Sequence, residues 1–143
     1  MANSKTFLIA EDWIRRQWMS QQFGQRFSRE RLQLRPGGLF DFDAVSADHR
    51  IAAVISASGG RTRSGKDAGP KLQKIRSDIL FLMMADVDRR LVVFADSDMF
   101  RLAAAERDAC RLPTEIELLL ADLPDELKRT LITAREDAAN EER

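Results

Sequence analysis

The N-terminal part of the chain repeats apolar residues at intervals of four positions. Two such series run in parallel: Ala10, Ile14, Trp18 and Met19, Phe23, Phe27. Residues four apart lie on the same face of a helix, so this spacing predicts a helix over residues 7–27. Polar and apolar residues then alternate over residues 31–35, which predicts a short strand that ends at Pro36-Gly37-Gly38.

The next two segments also alternate, and together they predict a hairpin. In LFDFDAVS, residues 39–46, Asp41 and Asp43 lie on one face of the strand and Phe40 and Phe42 on the other. The segment IAAVISAS, residues 51–58, is rich in small and β-branched residues, which is typical of a strand. A short polar turn joins the two segments, so we expect them to pair antiparallel.

Helices and strands alternate in the second half of the chain. The predicted elements are a helix opened by Gly69-Pro70, an apolar strand over residues 91–95, a helix capped by Ser97 or Asp98 and ending near Cys110, a strand over residues 115–120 and a helix opened by Pro124. The full order is therefore α-β-β-β-α-β-α-β-α. It predicts one mixed α/β domain over residues 1–143.

The composition is ordinary for a globular protein, but the charge is unevenly distributed. Hydrophobic residues make up 44% and charged residues 32% of the 143 positions, and the formal net charge is zero. Residues 15–35 nevertheless carry six arginines against one glutamate, and residues 61–76 carry six basic residues against one aspartate. These two basic segments could attract a polyanion, or their side chains could simply keep two faces soluble.

The chain has no feature that predicts export or membrane insertion. A single cysteine, Cys110, excludes an internal disulfide and favours a reducing compartment. The apolar stretch at residues 7–10 is too short for a signal peptide, and no apolar run has the length of a membrane-spanning helix. We therefore expect a cytoplasmic protein without a membrane partner.

The segment SASGGRTRSGKDAG, residues 56–69, has the glycine and lysine spacing of a phosphate-binding Walker A loop. In that motif a serine or threonine follows the lysine and ligates magnesium, whereas here Asp67 follows Lys66 and would repel a polyphosphate. The helix that should begin at the lysine is also delayed to Gly69-Pro70. The pattern therefore argues against a nucleotide site and leaves a basic loop.

The predicted order of helix, three antiparallel strands, helix and strand, with an acidic residue on the middle strand, resembles the restriction-endonuclease-like superfamily. The resemblance is carried by GGLFDFDAVS, RIAAVISAS and GPKLQKIRSDILFL leading into RRLVVFAD, and it covers residues 7–95, about two-thirds of the chain. It implies a nuclease-type core in which two carboxylates hold Mg²⁺ and a lysine helps to position the attacking water. Its pattern is Pro-Asp…Asp/Glu-x-Lys.

Only the first position of that pattern has a match in this chain. Asp43 corresponds to the first acidic residue. The second acid and the lysine should lie near Val54 and Ser56, and neither residue type is present there. The resemblance therefore implies a degraded metal centre.

Neighbouring residues could supply the missing groups, as happens in some members of the superfamily. The candidates for the catalytic cation are Lys66, Lys71 and Lys74, and the candidates for an additional carboxylate are Asp41, Glu11 and Glu30. We take Asp43, Lys66 and Lys71 as the candidate catalytic residues, and Asp43 with Asp41 as the candidate magnesium ligands. The competing interpretation is that these side chains form solvated faces of a strand and a helix.

The preferred function is that of a nucleic-acid-associated restriction-endonuclease-like domain with a degraded metal site. In this hypothesis the basic segment contacts DNA phosphates through Arg61, Arg63, Lys66 and Lys74. Two alternatives remain: a magnesium-dependent DNA nuclease with a rearranged active site, and a non-catalytic scaffold that binds protein or forms a homodimer.

Overall fold

A mixed sheet of five strands forms the centre of the molecule, in the spatial order β1-β2-β3-β4-β5. The computed structural model describes residues 2–59 and 69–141. The strands are β1 (Phe27–Gln33), β2 (Leu39–Ser46), β3 (Ile51–Ser56), β4 (Arg89–Phe94) and β5 (Ile116–Leu120). The helices are α1 (Ala2–Trp13), a π-helical segment (Ile14–Trp18), α2 (Met19–Phe23), α3 (Gly69–Met84), α4 (Ser97–Asp108) and α5 (Asp125–Glu141). The first three of these are continuous and are called the N-terminal helix.

The strand directions place several chain connections at one end of the sheet. β2 is antiparallel to both β1 and β3, whereas β3, β4 and β5 are parallel. The carboxyl ends of β1, β3, β4 and β5 therefore lie at the same end of the sheet as the beginning of β2. Parallel strands need long crossover connections, and here α3 and α4 provide them.

Helices cover both faces of the sheet, so the protein has three layers. Residues of α3 and α4 pack in one core cluster with Ala52 and Val54 of β3. The N-terminal helix and α5 pack in a second cluster with Ile51 and Ala53 of the same strand. Adjacent residues of β3 thus serve opposite faces, as the alternation of side chains along a strand requires. Among the described residues, no helix is both long and apolar enough to cross a membrane.

The mixed α/β class and the order of elements predicted from the sequence are confirmed. Element boundaries differ at the N-terminal end. The N-terminal helix ends at Phe23 because Gly24 takes a left-handed conformation, with φ of 66°, and closes the last turn. Phe27, which the four-residue spacing assigned to the helix, instead begins β1 and is buried in the core. The first strand is therefore longer and starts earlier than the alternation over residues 31–35 indicated.

The cap of α4 also differs from the expectation. Neither Ser97 nor Asp98 caps this helix. The cap is Asp96, whose carboxylate accepts a hydrogen bond of 2.9 Å from the backbone N–H of Met99. A side-chain acceptor at this position satisfies an N–H group that has no partner inside the helix.

A buried arginine fixes the end of α3 against β4. Arg90 is 8% exposed, and its Nε donates to the carbonyl of Leu82 at 2.9 Å. Its Nη2 donates to the carbonyl of Ala85 at 2.8 Å. The last carbonyls of a helix lack partners within it, and a positive charge is favourable at that end. Arg90 therefore joins the crossover helix to the strand that follows it.

We expect Arg90→Met to lower the free energy of unfolding by about 2–3 kcal/mol, because two hydrogen bonds from a charged donor are lost in a buried position. Methionine keeps much of the apolar volume, so the loss reports the polar contacts. The measurement is urea unfolding followed by circular dichroism. Arg107→Met, at an exposed position of α4, is the control and should change stability by less than about 0.5 kcal/mol. Equal losses in the two variants would contradict the proposed role of Arg90.

Candidate functional site

Strand β2 contains an irregularity at Asp43. In the pairing with β1, Phe42 lies opposite Glu30 and Val45 lies opposite Ser28. Two residues of β2, Asp43 and Ala44, thus face a single residue of β1, which is the arrangement of a β-bulge. On the other side, β2 pairs with β3 only through Ala44–Ala53 and Val45–Ala52. The two strands therefore part at Asp43.

The side chain of Asp43 bridges the gap where the strands part. Its Oδ2 accepts a hydrogen bond of 2.8 Å from the backbone N–H of Ile55, a group left without a strand partner in β2. The backbone carbonyl of Asp43 accepts from Nε of Arg15 at 2.6 Å. Asp43 is half-buried, so both contacts satisfy groups that water reaches only in part. The residue that matches the nuclease pattern therefore also has a structural function.

Glu11 of α1 lies within electrostatic reach of Asp43. Burial raises the pKa of the Glu11 carboxyl, and the charge of Asp43 raises it further, while Arg15 opposes both effects. The Nη2 of Arg15 donates to Glu11 at 2.5 Å. Of the candidates for an additional carboxylate, Glu11 is thus the one whose pKa responds to the charge of Asp43.

A second carboxyl responds to Asp43 from the opposite layer. Burial raises the pKa of Asp78 in α3, Lys74 lowers it through a hydrogen bond and its charge, and the Asp43 charge adds a further increase. Asp78 was not singled out from the sequence. Its only sequence signal is the i, i+4 spacing from Lys74, which is common on exposed helices.

The predicted magnesium ligands are already engaged by protein donors. Asp41 forms an ion pair with Arg31 across β1, with Nε to Oδ1 at 2.8 Å, and the hydrogen bond from Arg31 lowers the pKa of Asp41. Asp43 accepts from Ile55, as described above. Within residues 2–59 and 69–141, no group of three or more acidic, histidine or cysteine side chains could hold a metal ion. As arranged here, these residues do not form a ready magnesium site.

The β3 positions expected to carry the second acid and the lysine hold Val54 and Ser56, on either side of the residue that meets Asp43. Val54 is buried in the core cluster on the α3 face. Ser56 is half-buried, and its carbonyl accepts from the N–H of Ala95 in the neighbouring connection. The residue of β3 that meets the Asp43 carboxylate is Ile55, through its backbone.

The predicted basic residues divide into two groups. Lys71 donates to the carbonyl of Gly59 at 3.0 Å and Lys74 pairs with Asp78 at 3.1 Å, so both lysines of α3 have partners. Arg61, Arg63 and Lys66 lie outside the described residues.

Arg135 of α5 and Lys71 hold the beginning of the connection after β3. The Arg135 guanidinium donates to the carbonyl of Ala57 through Nε at 3.1 Å and Nη2 at 3.0 Å, and its Nη1 lies 3.3 Å from Asp96. Gly59 packs so closely that an added Cβ would lie 3.0 Å from Cδ of Arg135. The basic loop therefore starts from a fixed point. No local pattern indicates this contact, because it joins positions 78 apart.

Comparisons with known proteins do not assign this chain to a family. No protein-family model, no curated protein and no solved structure matches it. The restriction-endonuclease-like resemblance therefore depends on the order of the elements and on the position of Asp43, and it enters the functional conclusion as a proposal.

We expect the Glu11 carboxyl to titrate above 4.5, and Asp43→Asn to lower its midpoint because a nearby negative charge is removed. Asparagine keeps an oxygen that accepts from Ile55, so the strands stay in place. The measurement is a ¹³C NMR titration of side-chain carboxyls. The pKa of Glu11 is higher in the folded chain than in the unfolded chain. The protonated Glu11 carboxyl therefore stabilises the folded state below pH 4.5, and this stabilisation is lost as the pH rises through the folded-state pKa.

Asp88→Asn is the control for this titration, since Asp88 is exposed and does not contribute to the pKa of Glu11. It should leave the Glu11 midpoint unchanged. A Glu11 midpoint at or below 4.5, or a midpoint that Asp43→Asn leaves unchanged, would contradict the coupling of the two carboxyls.

Proposed function

We propose that this chain is a nucleic-acid-associated domain of the restriction-endonuclease-like type with a degraded metal centre. Three features support the proposal. The elements follow the order of helix, three antiparallel strands, helix and strand that the resemblance implies. Asp43 lies on the middle strand of the three. No acidic residue or lysine follows on β3 to complete the nuclease pattern.

The observation that carries the proposal is the position of the Asp43 gap relative to the basic loop. Asp43 contacts Ile55, and the chain enters the loop only a few residues later, after Gly59. The loop returns into α3, whose first turns carry Lys71 and Lys74. The basic residues of the loop are therefore joined along the chain to β3, the strand whose Ile55 meets Asp43, and to the lysines of α3.

This series of basic residues suits a phosphodiester chain. Lysine and arginine side chains neutralise phosphates and release condensed counterions, which supplies most of the sequence-independent affinity for DNA. The glycines on either side of Arg61 and Lys66 allow close approach of the backbone to a phosphate. In this proposal Arg61, Arg63, Lys66 and Lys74 contact the DNA backbone without reading its sequence.

A second candidate function is that of a magnesium-dependent DNA nuclease with a rearranged active site. The observation that favours it is that Arg15 donates both to the carbonyl of Asp43 and to the carboxylate of Glu11, so a carboxylate of the N-terminal helix lies one side chain away from the first acidic position. Asp43 is the candidate catalytic carboxylate, and Lys71 and Lys66 are the candidate cations. For Glu11 to act in this way, Arg15 would have to release it.

We expect Arg61→Ala/Arg63→Ala/Lys66→Ala to flatten the plot of log affinity against log salt by roughly two to three units on duplex DNA, since each phosphate contact accounts for ~0.9. The loss should be similar for unrelated DNA sequences, because phosphate contacts carry no direct sequence information. The measurement is a salt titration of a fluorescent duplex by anisotropy.

The control for the loop variant is Arg101→Ala/Arg107→Ala/Lys128→Ala, which removes three exposed basic side chains from α4 and α5. It should retain the slope of the wild type. Absence of wild-type binding at low salt would overturn the nucleic-acid proposal and favour the protein-interaction or homodimer alternative. An unchanged slope in the loop variant would exclude the loop as the contact.

We expect any cleavage of DNA to be weak and to disappear in Asp43→Asn, which keeps the volume and the acceptor oxygen but removes the charge that a hard cation requires. The assay uses supercoiled, linear and single-stranded DNA with Mg²⁺ or Mn²⁺. Asp88→Asn should cleave at the wild-type rate. Strong cleavage that survives Asp43→Asn would place the active centre elsewhere.

A further inference from the structure

A cleft of about 820 Å³ lies between the N-terminal helix and the beginning of β1. Its lining consists almost entirely of hydrogen-bond donors: Arg15, Arg16, Ser20, Gln25, Arg26, Ser28 and Arg29, with Phe27. None of the described residues that line it is acidic. Phe27 is 2% exposed and belongs to the core, so the apolar surface of the cleft comes mainly from the aliphatic parts of polar side chains. A ligand in this cleft must be rich in acceptor oxygens.

The charge of the cleft is only partly neutralised by its surroundings. Arg15 is 8% exposed and is fully engaged with Glu11, Asp12 and the carbonyl of Asp43. The other three guanidiniums are more exposed and are therefore better placed for a ligand. Arg15 is therefore the main partner of the neighbouring carboxylates, and the rest of the cleft lining remains basic.

The remaining arginines differ in what holds them. Arg16 pairs with Asp12 at 2.9 Å but keeps 71% of its side chain exposed. Arg29 lies 3.8 Å from Glu11 with 58% of its side chain exposed. Arg26 is exposed and has no acidic partner among the described residues. Glu11 and Asp12 pair with these guanidiniums, and Asp48 and Glu30 accept hydrogen bonds from Gln25 and Ser28 at the edge of the cleft. The described residues of the lining itself carry four positive charges and no negative one.

Two local irregularities of the backbone build this cleft. Arg15 and Arg16 belong to the π-helical segment. This conformation is rare in proteins overall, and where it occurs it is often found at functional sites. The left-handed Gly24 then turns the chain sharply, so that Gln25 and Arg26 stand beside the helix they have just left. Arg29 follows on β1, opposite the bulge at Asp43. Helix, turn and strand therefore direct basic side chains into one space.

We propose that this cleft binds the phosphodiester backbone of a nucleic acid, with Arg16, Arg26 and Arg29 donating to phosphate oxygens and Ser20, Gln25 and Ser28 completing the contacts. This inference rests on the proposed function and extends it, because it assigns a phosphate site apart from the loop after β3. Guanidinium groups bind phosphate oxygens in pairs, and hydroxyl and amide side chains are common partners of the DNA backbone.

A nucleic acid fits the cleft better than an acidic protein segment does. Peptide recognition combines charge with pockets for apolar side chains, and the one apolar residue in this lining is buried. A phosphodiester chain needs only donors and positive charge along its path. The volume of about 820 Å³ also leaves room for more than a single oxyanion.

The test is a salt titration of DNA binding with Arg26→Gln/Arg29→Gln, which removes two exposed charges and keeps polar side chains with amide donors. If both arginines contact phosphates, the slope of log affinity against log salt should fall by about 1.8 on duplex DNA. The control is Arg101→Gln/Arg107→Gln on α4, which should match the wild type. Unfolding curves of both variants should overlay that of the wild type, which excludes a folding defect.

A second measurement locates the contact. The side-chain Nε–Hε signals of Arg26 and Arg29 should shift when the duplex is added at low salt, and they should not shift with a polyglutamate peptide of equal charge. Equal shifts with both ligands would indicate that an acidic protein segment is the ligand, and this result would overturn the inference.

The outcomes separate this inference from the function on which it rests. If the wild type binds DNA and the loop variant weakens binding while Arg26→Gln/Arg29→Gln does not, the cleft inference is wrong and the proposed function stands. If the cleft variant weakens binding and the loop variant does not, the cleft is supported and the loop is excluded. If the wild type binds no DNA at low salt, both fail.

Discussion

The backbone N–H of Ile55 must find an acceptor where β2 leaves β3, and the carboxylate of Asp43 provides it at 2.8 Å. A partly buried N–H without a partner costs free energy comparable to a lost hydrogen bond, so the parting of the strands requires such a side chain. The bulge at this point turns the carbonyl of Asp43 toward Arg15, which holds the N-terminal helix to the sheet. The geometry of the candidate site follows from this one irregular pair of strands.

The same network separates negative from positive charge. Arg15 takes Glu11 and Asp12 as partners, so these carboxylates lie on the side of Asp43 and outside the lining of the arginine cleft. Burial and the charge of Asp43 both raise the pKa of Glu11, so the ionised form of this carboxyl is less favoured than in water. Arg15 thus contacts the carboxylates near Asp43 and also lines the cleft. A rearrangement of either region would therefore disturb the other.

Local patterns in the sequence were sufficient for the order of the elements and for the hairpin that carries Asp43, because both depend on spacing over a few residues. The start of β1 could not be predicted in this way: Phe27 continues the four-residue series of the helix, and the left-handed Gly24 overrides that series. The six arginines of residues 15–35 were visible as a charge pattern, but the convergence of four of them on the cleft needs the π-helical segment and the turn. The contact of Arg135 with Ala57 joins distant parts of the chain and leaves no local signal.

In the proposed function, binding of nucleic acid and metal-dependent chemistry depend on different residues. Affinity for a phosphodiester chain requires positive side chains, which the arginine cleft and the basic loop supply whether or not a metal binds. Hydrolysis would require carboxylates free to coordinate a cation, and Asp41, Asp43 and Glu11 each accept hydrogen bonds from protein donors. Arg15 and Arg29 both lie near Glu11, so the two sets of side chains adjoin, but none of the proposed phosphate contacts comes from β3. In this proposal, loss of the nuclease pattern on β3 therefore leaves phosphate binding intact. In the proposed function, the chain therefore binds nucleic acid without cleaving it.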